Sequence, residues 1–109
     1  MRIRLGVVLA FGLCSLSVQA VDKKTERTWK AKCASCHGAD GKGDTDQGKK
    51  MKLKDMTSAS WHGSITDAKI RDAILNGVKT GDGEMQAYKD SLSSDQVDGL
   101  VNYIHTLKK

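Results

Sequence analysis

Cys33-Ala34-Ser35-Cys36-His37 is the stretch that decides what this chain folds around. Two thiols at this spacing can form thioether bonds to the two vinyl groups of one haem, and the adjacent imidazole then reaches the iron from the same side. The sequence therefore predicts one covalently attached haem c per chain, held by Cys33 and Cys36, with His37 as the proximal iron ligand.

Three other kinds of site use a Cys-x-x-Cys pair, and each explains the sequence less well. A structural zinc site needs four ligands, and only His62 and His105 remain as further histidines. A thioredoxin-like dithiol belongs at the strand-to-helix turn of a βαβ unit, which this sequence does not contain. A plain disulfide fits the spacing but leaves His37 without a role.

The first twenty residues differ from the rest of this 109-residue chain. Arg2 and Arg4 precede an uncharged run, residues 5–20, that ends in the small residue Ala20. A helix that spans a membrane needs about 20 apolar residues, so a secretory signal peptide is favoured over an uncleaved anchor. We expect residues 1–20 to be removed and residues 21–109 to form one domain in a bacterial periplasm, with no further membrane span.

Without that segment, the chain is poor in residues that build a core. It keeps 29 hydrophobic residues in 89, four aromatic side chains and a net charge of +3. A domain of this size buries only about 60–70% of the surface that its unfolded chain exposes. A haem would supply the missing core. The modest charge, without any nucleic-acid-binding motif, indicates no nucleic-acid partner.

The hydrophobic pattern predicts an all-α fold of three or four short helices joined by long loops, with no strand of consequence. A first helix covers residues 23–34. The second is framed by Thr66 as N-cap and Gly77 as its stop, and the last begins at a capping box of Ser93 and Gln96. The 28 residues from 38 to 65 show little periodicity, so something ordered must hold them.

The residues alone leave the sixth iron ligand open. Five side chains carry a suitable thioether or imidazole: Met51, Met56, Met85, His62 and His105. Met85 is favoured, because it follows Gly81-Asp82-Gly83-Glu84 in a glycine-bearing loop away from any apolar helix stripe. The 47 residues between His37 and Met85 are enough to lead the chain around a haem to its other face.

Three stretches of the sequence, in their order along the chain, resemble the class I c-type cytochromes, specifically the small bacterial monohaem type. They are residues 33–44, residues 85–93 and the closing helix at residues 100–104. With the short helix before the motif, their order and spacing extend the resemblance over nearly all of residues 21–109. It implies a cytochrome c fold, with short helices and long loops wrapped around one covalently bound haem. It also implies that Met85 is the distal ligand.

The resemblance further implies that Trp29 and Tyr103 meet where the first and last helices cross. At that crossing Thr25 occupies a position where relatives often carry Gly.

The chain also departs from the family in having no proline. Relatives usually have one proline whose carbonyl accepts the N–H of the proximal imidazole, and another directly after the ligand methionine. We expect a carbonyl between Met51 and Met56 to replace the first, and Gln86 stands in place of the second. We therefore expect the loop around Met85 to be less restrained than in relatives.

These observations predict a periplasmic one-electron carrier that cycles haem iron between Fe(III) and Fe(II) and is not an enzyme. Its partners would be redox proteins, such as a cytochrome reductase, a dehydrogenase or an oxidase, met by a monomer in transient complexes. Two alternatives remain. One is a haem protein with a labile sixth ligand that binds a gas or reduces peroxide, and the other is a dedicated cytochrome subunit of a larger oxidoreductase.

Two further groups of residues carry weaker signals. The lysines between residues 49 and 54 either steer an acidic partner or form a solvated face. Trp61 and its polar neighbours are a candidate to hold a haem propionate.

Overall fold

The computed structural model describes Gly6 and residues 22–109. The predicted signal peptide and its cleavage after Ala20 lie outside the described residues, Gly6 excepted. The described elements are, in chain order, α1 (Lys23–Lys32), α2 (Ala34–His37), α3 (Asp46–Lys50), α4 (Ala59–Ser64), α5 (Asp67–Asn76), β1 (Val78–Lys79), β2 (Glu84–Met85) and α6 (Ser94–Thr106). Over the described range, no helix is both long enough and apolar enough to cross a membrane.

The ends of the two C-terminal helices follow the predicted signals. The Thr66 side chain accepts a hydrogen bond from the third residue of α5, and Gly77 ends that helix with a φ of 76°. Ser93 and Gln96 form both bonds of a capping box at the start of α6. These helices begin and end where they do because side chains satisfy the free N–H groups of their first turns.

The predicted first helix is divided. α1 ends at Lys32, and Cys33 separates it from α2, which carries the rest of the Cys-x-x-Cys-His motif. The loop predicted for residues 38–65 contains two short helices, α3 and α4, each capped at its start by a hydroxyl side chain.

The only β-structure in the described residues is one very short hairpin, which agrees with the prediction of no strand of consequence. β1 and β2 form an antiparallel hairpin in which Val78 lies opposite Met85 and Lys79 lies opposite Glu84. Each strand has only two residues, so there is no alternation of polar and apolar side chains for a sequence pattern to reveal.

The hydrophobic core lies where α1, α5 and α6 converge. α1 and α6 cross at Thr25 and Gly99, and the rings of Trp29 and Tyr103 meet there with centroids 5.1 Å apart. This confirms the contact that the resemblance implied. The buried hydrophobic side chains are Trp29, Ile70, Ile74, Tyr88, Leu92, Val97, Leu100, Val101 and Ile104.

Candidate haem site

The Cys-x-x-Cys-His motif is held on α2 by contacts with the preceding helix. The buried indole N–H of Trp29 donates to the carbonyl of Gly38, the residue that ends α2, over 3.1 Å. The rings of Trp29 and His37 are also close, with centroids 5.9 Å apart. The core of the domain therefore positions the imidazole directly.

Both cysteines of the motif are free, half-buried thiols. Burial raises the pKa of Cys33 to about 11, because desolvation disfavours the thiolate. Two free thiols at this spacing are available for two thioether attachments.

The His37 imidazole is kept neutral and lacks a hydrogen-bond partner. Burial lowers its pKa, because desolvation disfavours the charged ring. Its Nδ1 atom is buried without any partner among the described residues. A buried nitrogen left unpaired costs about 1–3 kcal/mol. The neutral imidazole is the form that binds a metal ion through a ring nitrogen.

The predicted carbonyl partner for this imidazole, between Met51 and Met56, is wrong in this structure. The Met56 carbonyl lies 2.7 Å from Nε2 of His62, and Nδ1 of His37 has no partner among the described residues. The Leu53 carbonyl faces the backbone of Gly43, 3.2 Å from where a Cβ on that glycine would lie. Without proline, this segment directs its carbonyl groups elsewhere.

Met85 lies half-buried in β2, packed against the hydrophobic core. Its strand is pressed against the end of α5, since a Cβ on Gly77 would lie 2.5 Å from the Met85 carbonyl oxygen. Downstream, the Tyr88 N–H donates to the Ile74 carbonyl, and the Tyr88 hydroxyl donates to the Lys32 carbonyl over 3.0 Å. The segment that carries Met85 is therefore tied to the residue just before Cys33.

The two other histidines considered as iron ligands lie together elsewhere. The rings of His62 and His105 have centroids 5.9 Å apart, and Nε2 of His105 lies 2.6 Å from an Asp67 carboxylate oxygen. Since both rings contact partners outside the motif, the structure does not bring them to it. Residues 22–109 contain no group of three or more Cys, His, Asp or Glu side chains arranged to hold a metal ion.

A cavity of about 780 Å³ adjoins Trp61. Most of its lining residues are polar, but the surface that they present to the cavity is mainly apolar, and they include neither the motif nor Met85. It is lined by Lys54, Asp55, Ser58, Ser60, Trp61, Ser64, Ile65, Thr66 and Lys69.

Sequence patterns alone did not indicate the residues that join the motif to the Met85 segment. The Tyr88 hydroxyl contacts a carbonyl 56 residues earlier, and such a pair leaves no periodic trace. The sequence predicts Gly77 as the end of a helix, because that signal is local. It does not indicate that Gly77 also lets Met85 approach α5.

A comparison with protein-family models matches residues 20–104 to the family described as "Cytochrome C oxidase, cbb3-type, subunit III". The chain is 35% identical over 85 residues to the Cbb3-type cytochrome c oxidase subunit FixP of Azorhizobium caulinodans. That alignment covers 78% of this chain but only 27% of FixP, so this chain corresponds to about a quarter of that relative.

Two relatives of similar size to this chain are cytochromes c6. The protein of Leptolyngbya boryana is 33% identical over 78 residues, which cover 72% of this chain and 82% of the relative. That of Bryopsis maxima is 32% identical over 72 residues, which cover 66% and 75% respectively. Among solved structures, the KustC0563 c-type cytochrome matches with a TM-score of 0.69 and 27% identity, over 78% of this chain and 98% of the other.

Proposed function

This chain belongs to the class I c-type cytochrome family, with its cytochrome c fold and covalently bound haem c, and we propose that it is a one-electron carrier of the bacterial periplasm. Bound haem c supplies an iron that gains or loses one electron without forming a bond to a substrate. The cysteine thiols of Cys33 and Cys36 would hold the haem, and His37 and Met85 would occupy the two axial positions.

This proposal rests on the protonation state of His37 and on the burial of Met85, the two side chains that would bind the iron. Burial favours the neutral, metal-binding form of the His37 imidazole, and Met85 is held half-buried in a hairpin tied to the end of α1. If both axial positions are filled by these side chains, no site is left for a substrate. This supports a carrier that is not an enzyme.

The test is an absorption spectrum of the purified holoprotein, with carbon monoxide added to the reduced form. We expect the oxidised protein to show the weak sulfur-to-iron band and the reduced spectrum to stay unchanged by carbon monoxide. Met85→Ala should abolish the band and admit carbon monoxide, whereas Met56→Ala, which removes another half-buried methionine, should do neither.

Ready binding of carbon monoxide by the unmodified protein would contradict the carrier proposal. It would instead favour a haem protein with a labile sixth ligand.

A second candidate function is supported by the similarity to FixP, an oxidase subunit. The same domain would then serve as a fixed electron relay in an oxidase complex. The two proposals differ in where the native protein is found after osmotic shock of the cells. A free carrier is released with the periplasmic fraction, whereas a bound subunit stays with the membranes.

The basic cluster, defined as Lys49, Lys50, Lys52 and Lys54, supports an acidic redox partner. Lys49 pairs with Asp44 at 3.2 Å and Lys52 pairs with Asp82 at 3.5 Å, both exposed. The second pair places the cluster beside the hairpin that carries Met85. Positive charge at this position would orient an acidic partner during a brief encounter.

A further inference from the structure

We propose that α3 connects the haem motif to the Met85 hairpin, and that Met51 is the positioning residue at its far end. Residues 45–52 are called here the α3 strut. The inference rests on the proposed role of Met85 as distal ligand. It adds a residue that holds the ligand-bearing hairpin in place without itself touching the iron.

The near end of the α3 strut lies directly against the motif. The Thr45 hydroxyl donates to the carbonyl of Cys36 over 2.7 Å and accepts from the N–H of Gly48 over 2.9 Å. Gly48 is buried, and a Cβ at this position would lie 2.6 Å from the same Cys36 carbonyl. The first turn of α3 is thus packed on the backbone of a haem-binding residue.

The far end of the strut is a well-defined helix terminus. The N–H of Lys52 donates to Lys49 and the N–H of Leu53 donates to Gly48, which together form a Schellman motif. Lys52 takes the left-handed position of that motif, with φ of 55°, where glycine is usual. The backbone of Met51 is therefore held by hydrogen bonds on both sides.

Met51 fills the space beside Gly83, two residues before Met85. A Cβ on Gly83 would overlap Cγ of Met51 and would lie 2.6 Å from its Sδ. Gly83 does not have a positive φ, so its backbone conformation does not require glycine. The absence of a side chain at residue 83 is instead explained by the presence of Met51.

The neighbouring ion pair adds little by itself. Lys52 and Asp82 are exposed, and exposed ion pairs contribute little to stability because water and salt screen them. Met51 beside Gly83 supplies an apolar contact between the strut and the hairpin. It supplies a restraint on the ligand-bearing segment in a chain that has no proline.

The test compares alanine at two glycines of the same turn, using the holoprotein. Gly83→Ala overlaps Met51, whereas Gly81→Ala is the matched control, because no atom lies within 4 Å of its Cβ position. The readout is the pH at which the sulfur-to-iron band disappears on the alkaline side. We expect Gly83→Ala to weaken methionine binding about tenfold, which lowers this midpoint by about one pH unit.

The Met51→Ala/Gly83→Ala double variant should move the midpoint back toward that of Met51→Ala alone, because the overlapping atoms are gone. Amide hydrogen exchange at Thr80, whose N–H donates to the Gly83 carbonyl over 2.9 Å, gives a second readout that does not depend on the iron. It should become faster in Gly83→Ala and stay unchanged in Gly81→Ala.

The outcomes distinguish the proposed role of the α3 strut from the assignment of Met85 as the iron ligand. Equal midpoints and equal exchange in the two glycine variants would overturn the strut, while the loss of the band in Met85→Ala would still support Met85 as ligand. A band that survives Met85→Ala but is lost in Met51→Ala would overturn both proposals, because Met51 would then be the ligand.

Discussion

Gly77, at the end of α5, allows the Met85 hairpin to lie close to that helix. Its φ of 76° and ψ of 177° lie in a region that is essentially restricted to glycine. A side chain there would also meet the Met85 carbonyl oxygen at 2.5 Å. Both the backbone conformation and the close approach therefore require glycine.

Gly77→Ala should lower the free energy of unfolding by about 2 kcal/mol or more, since backbone strain and steric overlap add. Gly63→Ala is the control: Gly63 lies within α4 with no atom within 4 Å of its Cβ position, so alanine should be neutral or stabilise by up to about 1 kcal/mol. Denaturant unfolding of both holoproteins measures the difference. Equal stabilities would show that Gly77 tolerates a side chain.

A second effect at the residue scale is the pH dependence introduced by Asp55. Its carboxylate accepts hydrogen bonds from the Thr57 hydroxyl over 2.6 Å and from the Thr57 N–H over 2.8 Å. These bonds lower the pKa of Asp55 below its ordinary value of 3.8. The ionised form is therefore the one that stabilises the fold.

Asp55→Asn should be less stable than the unmodified protein at neutral pH, and the gap should close as the pH falls below 3.8. The sign follows from the depressed pKa: the stabilisation is present above the unfolded value and is lost as the folded carboxylate becomes protonated. Asp90→Asn, which removes an exposed charge away from Thr57, is the control. A gap that stays constant between pH 7 and pH 3 would contradict this account.

At the scale of elements, the crossing of α1 and α6 depends on a compensating pair. The chain has Thr25 on α1 at this crossing. Gly99 on α6 has no side chain and so leaves space for the side chain of Thr25. A Cβ on Gly99 would lie 2.7 Å from the Thr25 hydroxyl oxygen. The close approach of the two helices lets the Trp29 and Tyr103 rings pack together beside the motif.

This arrangement predicts that the two positions are coupled. Alanine is favoured over glycine inside a helix by about 1 kcal/mol, but in the native background this gain is offset by overlap with Thr25. In a Thr25→Ala background, Gly99→Ala should be more favourable by about 1–2 kcal/mol than it is alone. Unfolding free energies of the four proteins in this double-mutant cycle test the coupling. Strictly additive effects would contradict it.

At the scale of the whole molecule, the distribution of charge beside the hairpin decides how partners are met. Lys50 and Lys54 of the basic cluster form no ion pair within residues 22–109, so their charge is available to an incoming partner. Lys23 and Lys24, at the start of α1, carry the same charge on a different element.

Lys50→Glu combined with Lys54→Glu should slow reduction of an anionic oxidant, hexacyanoferrate(III), and should weaken the dependence of the rate on salt. The reduced holoprotein is mixed with the oxidant in a stopped-flow spectrometer at low and high ionic strength. The same reversal at Lys23 and Lys24 changes net charge equally and should have a smaller effect. Equal effects of both pairs would mean that only net charge matters.

The sequence by itself determined those features that depend on neighbouring residues. The haem motif, the ends of α5 and α6 and the all-α class follow from local chemistry: thioether spacing, hydroxyl caps and apolar residues at helical intervals. The choice of Met85 among the candidate ligands rested on its glycine-bearing loop and on family resemblance. It remains a proposal, as do the roles of Cys33, Cys36 and His37.

Tertiary structure decided the features that join residues far apart in the chain. The division of the first helix at Cys33, the two-residue strands and the unpaired Nδ1 of His37 have no signature in composition or periodicity. Neither does the contact of Met51 with Gly83, which spans 32 positions. Such contacts arise only when packing brings distant segments together, because a local pattern reports what a residue prefers and not what it meets.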